Sequence, residues 1–398
     1  MNGGLLQILG VTSVYHTRMR PERGAFTHAL FHTWRGMGHE VQVVSPVSIM
    51  RELHDRLTRQ RPVAKQPQEP GRIRPLYLTL SNRLLPWRDL GGRLSDHLYC
   101  ASVARGVSRL LTPNDLTYAH FFDSGHAMLP VCESRGWDLL IALGESDIDV
   151  TERIVGPKVF ADTLRRATGV LTVSPDLETF CRHRVPDLED RLRCIPNGID
   201  STMFHPRDRQ SARRRLGLPL GPPIVAFTGY FENRKGPLRV LEALKWAPEL
   251  RAVFLGQGAE QPCGPQVLRA APVAHTDLPD WLAAADFFVL PSRTEGMSNA
   301  ILEALGCGLP LVVSDRSFNR AFLTEDCAHF VDPESPAAIG QAFRQLLDDP
   351  ARQASMSRAA IALSANFSLE QRAGRILSFW QDVRHGTSDF VNLSSGSK

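Results

Sequence analysis

The chain has 398 residues, of which 43% are hydrophobic and 22% charged, and it carries a formal net charge of +4. That length exceeds one ordinary hydrophobic core and predicts two domains of roughly 200 residues each. No apolar run approaches the roughly 18 residues that a membrane-spanning helix needs, and the charge is too small for a dedicated nucleic-acid binder. The N-terminal residues lack the basic region and cleavage site of a secretory leader. Seven cysteines stand singly, without a Cys-x-x-Cys pair, and read as reduced, buried thiols of a cytoplasmic protein.

Taken in chain order, short apolar runs alternate with helical segments, the pattern of parallel sheets covered by helices on both faces. In the first half, Leu5–Tyr15, Glu40–Pro46, Leu116–Phe121, Asp138–Leu143 and Gly169–Ser174 are the predicted strands. In the second, Ile224–Phe231, Arg251–Gly256, Asp286–Pro291 and Leu309–Ser314 follow the same pattern. Two doubly wound, Rossmann-like α/β units are the simplest architecture. The polar segment Pro206 to Pro223 is the expected division, giving an N-terminal domain over 1–205 and a second over 206–368. An amphipathic helix is expected over 369–385, with Ile376, Leu377, Phe379 and Trp380 to bury. The Ser/Gly-rich tail 386–398 is expected to be flexible.

One segment departs from the chain's mild balance. Residues 51–93 hold ten basic side chains against four acidic ones, together with Leu84, Leu85 and Trp87. Basic and apolar groups on one surface suit an anionic bilayer, so two readings stand: a cytoplasmic protein peripheral at the inner face of a membrane, or a solvated insertion whose Leu and Trp pack on the N-terminal lobe.

The most informative stretch runs from Pro291 to Pro310, through Glu295-Gly296-Met297-Ser298-Asn299-Ala300 and on to Glu303. A buried strand ends at Pro291, a glycine loop follows, and Ser298 is placed to cap a helix that Gly308 and Pro310 stop. Open α/β sheets bind ligands at such strand-to-helix turns. N–H groups of Met297, Ser298, Asn299 and Ala300 at a helix N-terminus would attract a diphosphate. Glu303 lies five residues beyond Ser298, a rise of about 7.5 Å, comparable with the distance from a diphosphate to its ribose. Glu295 precedes the helix and would accept hydroxyls on the sugar side.

Glu295, seven intervening residues and Glu303, in this context, resemble the E-x7-E signature of the family-four retaining glycosyltransferases. The resemblance extends to the Pro196–Asp200 turn and the loop holding Gly256 and Gly258. It implies a GT-B fold of two Rossmann-like lobes: the nucleotide-diphosphate sugar in the C-terminal lobe, the acceptor in the N-terminal lobe, and the final helix crossing back to the first. It also implies retention of anomeric configuration, with no metal or other cofactor.

Further positions carry the resemblance. In Thr228–Pro237, Lys235 matches the family's diphosphate lysine, and Arg234 beside it can grip phosphate oxygens in pairs. The family usually has Gly-Arg where this chain has Gly229-Tyr230. Gly24 resembles the glycine that approaches the donor phosphates. In Leu143–Ile148 the family's His beside the transferred sugar is replaced by Gly144, so either Glu145 or another residue, His120 or His126 on the acceptor side, takes over its contact, or the activity is reduced. Asp147 and Asp149 also form a D-x-D, the pattern of a metal-dependent alternative. The expected activity is therefore transfer of a sugar to a glycan or lipid-linked acceptor in polysaccharide or glycolipid synthesis. Two rivals remain open: a nucleotide-sugar epimerase of the same architecture, or a non-catalytic sugar-nucleotide-binding scaffold.

Overall fold

The computed structural model describes residues 4–15, 24–50, 53, 72–77, 90–108 and 114–386. Most of the basic segment 51–93, including Leu84, Leu85 and Trp87, lies outside the described residues, as does the tail from 387 onward.

Before residue 195 the described strands are β1 (Gln7–Thr12), β2 (Glu40–Val44), β3 (Val47–Ser48), β4 (Arg72–Ile73), β5 (Leu76–Tyr77), β6 (Leu116–His120), β7 (Leu139–Leu143), β8 (Gly169–Thr172) and β9 (Leu192–Cys194). After it come β10 (Ile224–Thr228), β11 (Arg251–Leu255), β12 (Val267–Ala271), β13 (Phe287–Leu290), β14 (Leu311–Ser314) and β15 (Ala328–Val331). They build a seven-stranded sheet ordered β4-β2-β1-β6-β7-β8-β9, a six-stranded sheet ordered β12-β11-β10-β13-β14-β15, and a short β3-β5 pair. Pairing is parallel throughout: Ile8 stands opposite Val41 on one side and Leu116 on the other, and Val225 opposite Ala252 and Phe287. Parallel strands buried on both faces need continuous apolar runs, and Leu139–Leu143 and Phe287–Leu290 are buried at every position.

All nine predicted strands form, with frayed ends trimmed. Six more do not announce themselves: β3, β4 and β5 have two residues each, β9 has three, and β12 and β15 lie at sheet edges, where Arg269 and His329 interrupt the apolar run. The segment Pro206–Pro223, expected as turns, contains a helix, Arg209–Leu216, capped by Asp208 through the Ser211 N–H at 2.8 Å. Its Arg213 is only 3% exposed because it bonds Asp286 at 2.7 Å and the Ala284 carbonyl at 2.9 Å, anchoring the helix on the second sheet's side. The cysteines are free, and Cys263 is exposed rather than buried. Among the described residues, no helix is long and apolar enough to cross a membrane.

The final helix, Leu369–His385, crosses back to the first lobe. Ile376, Phe379 and Trp380 are buried with Leu30, Phe31 and Trp34 of the helix Ala25–Gly36; burying each such side chain contributes about 1.5–3 kcal/mol. Polar ends are satisfied as well: Trp34 Nε1 donates to the Ala373 carbonyl at 3.3 Å and Trp380 Nε1 to Asp138 at 2.8 Å. The chain crosses between lobes twice, and the crossings pair: Ile199 N–H donates to Phe367 at 2.8 Å and Leu369 N–H to Ile199 at 3.0 Å. Arg372, 6% exposed, clasps the Ile195 carbonyl at 2.9 Å beside them.

Candidate active site between the two lobes

Strand order decides where a ligand can sit. In the first sheet the chain reverses direction of growth between β1 and β6, and in the second between β10 and β13; crevices at the carboxyl ends of strands flanking such switch points bind ligands in doubly wound sheets. The loops after these four strands face one another. Between them lies a cavity of about 640 Å³, walled by Gly24 and Phe26 from the first lobe, Tyr230, His275, Asn299 and Glu303 from the second, and Gly198–Asp200 at the crossing. That volume falls within the ordinary range for small-molecule sites, roughly 300–1,000 Å³.

On the second lobe, the helix Asn299–Gly306 begins as expected, but Ser298 at its N-cap makes no side-chain capping bond. The first-turn N–H groups therefore lack the side-chain acceptor that usually satisfies them. The Oδ1 of Asn299 is buried without a hydrogen-bond partner, which marks a place for a donor from outside the described residues. Met297 is buried and held to the crossing by Asn197, whose Nδ2 donates to the Met297 carbonyl at 3.2 Å. Ala300, half-buried, packs against the core. Glu303 faces the cavity, and its Oε1 lies 3.0 Å from Nε2 of His275.

Glu295, Lys235 and Arg234 form one cluster at the ends of β10 and β13. The Lys235 ammonium pairs with Glu295 Oε1, and Arg234 lies 3.4 Å from its other oxygen while donating to the Thr294 carbonyl at 2.9 Å. Glu295 is 6% exposed and Lys235 12%. Of the two glutamates, Glu303 lines the cavity, whereas Glu295 is turned onto the two cations. Glycines make this corner possible. Gly229 has φ +153, a backbone conformation that residues with a side chain rarely adopt, and a Cβ on Gly256 would fall 1.8 Å from the Gly229 carbonyl oxygen, which leaves no room there for another residue.

On the first lobe, Gly24 stands at φ +67 before its helix, where a Cβ would strike the Val14 carbonyl at 2.3 Å. Glu145 is not in the main cavity. Its two oxygens accept the N–H of Phe122 at 2.6 Å and of Gly144 at 2.9 Å, so it caps the helix Phe122–Arg135. Burial pushes its carboxyl up to about 7, against those two bonds, which favour the ionised form. It lines a second groove of about 450 Å³ with Ser13, Asp123, Gly144 and Asp147. A side chain at Gly144 would meet only Phe121 at 3.5 Å and Val173 at 3.6 Å, so the space of the family's His stands open beside that groove.

His120 is 3% exposed, bonded to the Tyr118 hydroxyl at 3.2 Å, and burial together with the Arg372 charge lowers its pKa to about 3. It is a neutral ring at the floor of a small pocket shared with Phe26, Asn299 and Arg372. His126 lines neither cavity: its ring lies parallel to Phe122 and its Nδ1 is 2.9 Å from Thr163 Oγ1. Asp149 is paired with Arg153 at 3.3 Å on an exposed helix.

The comparisons with known proteins fit this geometry. Residues 208–362 match the family described as Glycosyl transferases group 1. The match covers the second lobe, which resembles a group 1 glycosyltransferase domain. Beyond that segment the chain resembles the Bacillus subtilis protein TuaC, named as a teichuronic acid biosynthesis glycosyltransferase, with 27% identity over 85% of this chain and 88% of the relative. A D-inositol 3-phosphate glycosyltransferase of Xylanimonas cellulosilytica is 29% identical over 67% of this chain and 71% of its own. Among solved structures, sucrose-phosphate synthase from Thermosynechococcus elongatus superposes with a TM-score of 0.76 at 19% identity, covering 96% of this chain and all of that one. Anabaena HepE, solved with UDP and glucose, gives 0.70 at 16% identity over 95% of this chain and all of that one. These likenesses establish the GT-B arrangement of two Rossmann-like lobes.

Sequence reasoning missed His275 and Arg372. His275 follows the edge strand β12, which apolar patterning did not reveal, and Arg372 lies on the crossing helix, whose partner surface only the fold supplies.

Proposed function

We propose that this chain is a glycosyltransferase that uses a nucleotide-diphosphate sugar as donor, retains the anomeric configuration, requires no metal, and transfers to a glycan or lipid-linked acceptor at a membrane surface. The observation that carries the reading is the cavity between the lobes, whose wall brings together Gly24, Asn299 and Glu303; the Lys235–Glu295–Arg234 cluster does not line that wall and stands at the ends of β10 and β13. Glu303 accepts the ribose hydroxyls, and the diphosphate lies against the uncapped helix N-terminus. Lys235, with Arg234 behind it, meets the charge that develops on the leaving diphosphate; fixed cations and backbone N–H groups do this best in a site that excludes water. Glu295 holds Lys235 in place and accepts a hydroxyl of the transferred sugar. The acceptor oxygen attacks from the leaving-group face, and a diphosphate oxygen takes its proton, so no carboxylate nucleophile is needed. HepE's bound UDP and glucose support a nucleotide-sugar donor, and the relatives' names as glycosyltransferases support transfer from it.

The test is incubation with a panel of radiolabelled nucleotide sugars and a lipid or glycan acceptor, in excess EDTA, with the product anomer read by NMR. Transfer with retention is expected. An isomerised donor would identify an epimerase, binding alone a scaffold, inversion a different mechanism, and loss of transfer restored by manganese a metal site at Asp147 and Asp149.

A further inference from the structure

Glu303 does not enter the cavity as an unconstrained carboxylate. His275, from the loop after β12, places Nε2 3.0 Å from Oε1, and its ring packs edge-on against Phe204 with centroids 5.3 Å apart. Phe204 follows the first crossing between lobes, so the imidazole is braced by the crossing and reaches the helix Asn299–Gly306. Both His275 and Glu303 line the cavity. Burial works against the imidazolium, but the hydrogen bond and charge of Glu303, with Asp200 nearby, outweigh it and hold the His275 pKa above its ordinary value. With Oε1 engaged, Oε2 is the oxygen left for a ligand. A carboxylate already locked in one rotamer loses less freedom when a ligand binds.

We infer that His275 is a positioning residue for donor recognition: it fixes Glu303 so that Oε2 meets the ribose hydroxyls, and through that carboxylate it makes the site select ribonucleoside over deoxyribonucleoside diphosphates. This rests on the reading that Glu303 binds the donor ribose. A residue needed only for packing would support all nucleotides equally. A positioning residue acts on the hydroxyls alone, because its effect passes through the one group that touches them.

The experiment is calorimetric titration of the full chain with UDP and GDP and with their 2′,3′-dideoxy analogues. The wild type is expected to bind the better ribonucleotide about tenfold or more tightly than its dideoxy analogue, as a hydrogen bond to a charged group implies. H275L and H275N, neither of which can reach Oε1, should lose most of that ratio while their affinity for the dideoxy form stays put. H275Q, with an amide nitrogen able to donate to Oε1, should restore it. An unchanged ratio in H275L and H275N, or an equal weakening of both nucleotides, overturns the role of His275 while leaving the donor reading intact. A wild type that binds none of the four nucleotides, or ignores the hydroxyls, overturns the donor reading and this inference with it.

Discussion

The raised carboxyl of Glu145 ties local structure to a measurable pH dependence. Its ordinary value is 4.5 and burial moves it to about 7, so between those values the folded chain holds a proton that the unfolded chain has released. Stability from this group is therefore full below about pH 4.5 and is lost as pH rises through about 7. At 1.36 kcal/mol per unit, the loss amounts to about 3 kcal/mol. Replacing Glu145 by Gln removes the titration and, like the protonated carboxyl, presents one carbonyl oxygen to the N–H groups of Phe122 and Gly144. Wild type should therefore lose stability relative to E145Q, by roughly 2–3 kcal/mol between pH 5 and pH 8. Urea unfolding of both proteins at pH 5, 6, 7 and 8 gives the difference directly. His120 runs the other way, since its lowered pKa of about 3 loses stability as pH falls below 6.5, but it is common to both proteins and cancels. A difference constant to within about 0.5 kcal/mol across this range would refute the reasoning and mean that the two backbone bonds keep Glu145 ionised.

In the site itself, E303A should raise the donor KM about tenfold with little change in kcat, whereas K235A should lower kcat about a hundredfold by removing charge stabilisation at the leaving group; equal, small effects in steady-state assays would count against both roles. The K235A fold should survive, because Arg234 still faces the buried Glu295 at 3.4 Å. E295A should lower turnover with an unchanged circular dichroism spectrum, and wild-type rates would remove Glu295 from the site. At the membrane, the protein should co-sediment with anionic vesicles at low salt and be released as ionic strength rises, since the attraction is screened over roughly 8 Å at 0.15 M. Replacing Arg74, Arg83 and Arg88 by Gln should abolish that binding, and unchanged binding would end the idea; Arg72 is spared, because its guanidinium lies over the Tyr15 ring at 4.4 Å.

What the sequence made legible follows from how many chemical requirements a position must meet at once. Central strands such as Phe287–Leu290 are buried on both faces, so their apolar runs announce them. Edge strand β12 is half-buried along its length and carries Arg269, so its pattern is diluted, and with it went His275 just beyond. Gly229 and Gly256 were legible as glycines but not as a pair: one carbonyl lies where the other's Cβ would be, a constraint between residues far apart in the chain. Glu145 and His126 were named because Gly144 stands where the family has a His; in the fold one caps a helix and the other lies against Phe122 and Thr163, contacts that no local pattern announces. Glu295 and Lys235 show the converse. Read separately, each was assigned its own part of the donor; folded, they neutralise one another. The low exposure of both charges makes that pairing a condition of the site, because an ammonium or a carboxylate buried alone costs several kcal/mol. On the proposed reading a donor diphosphate would share Lys235 with Glu295, and Arg234, held between Glu232, Thr294 and Glu295, would keep the carboxylate paired while that sharing occurs.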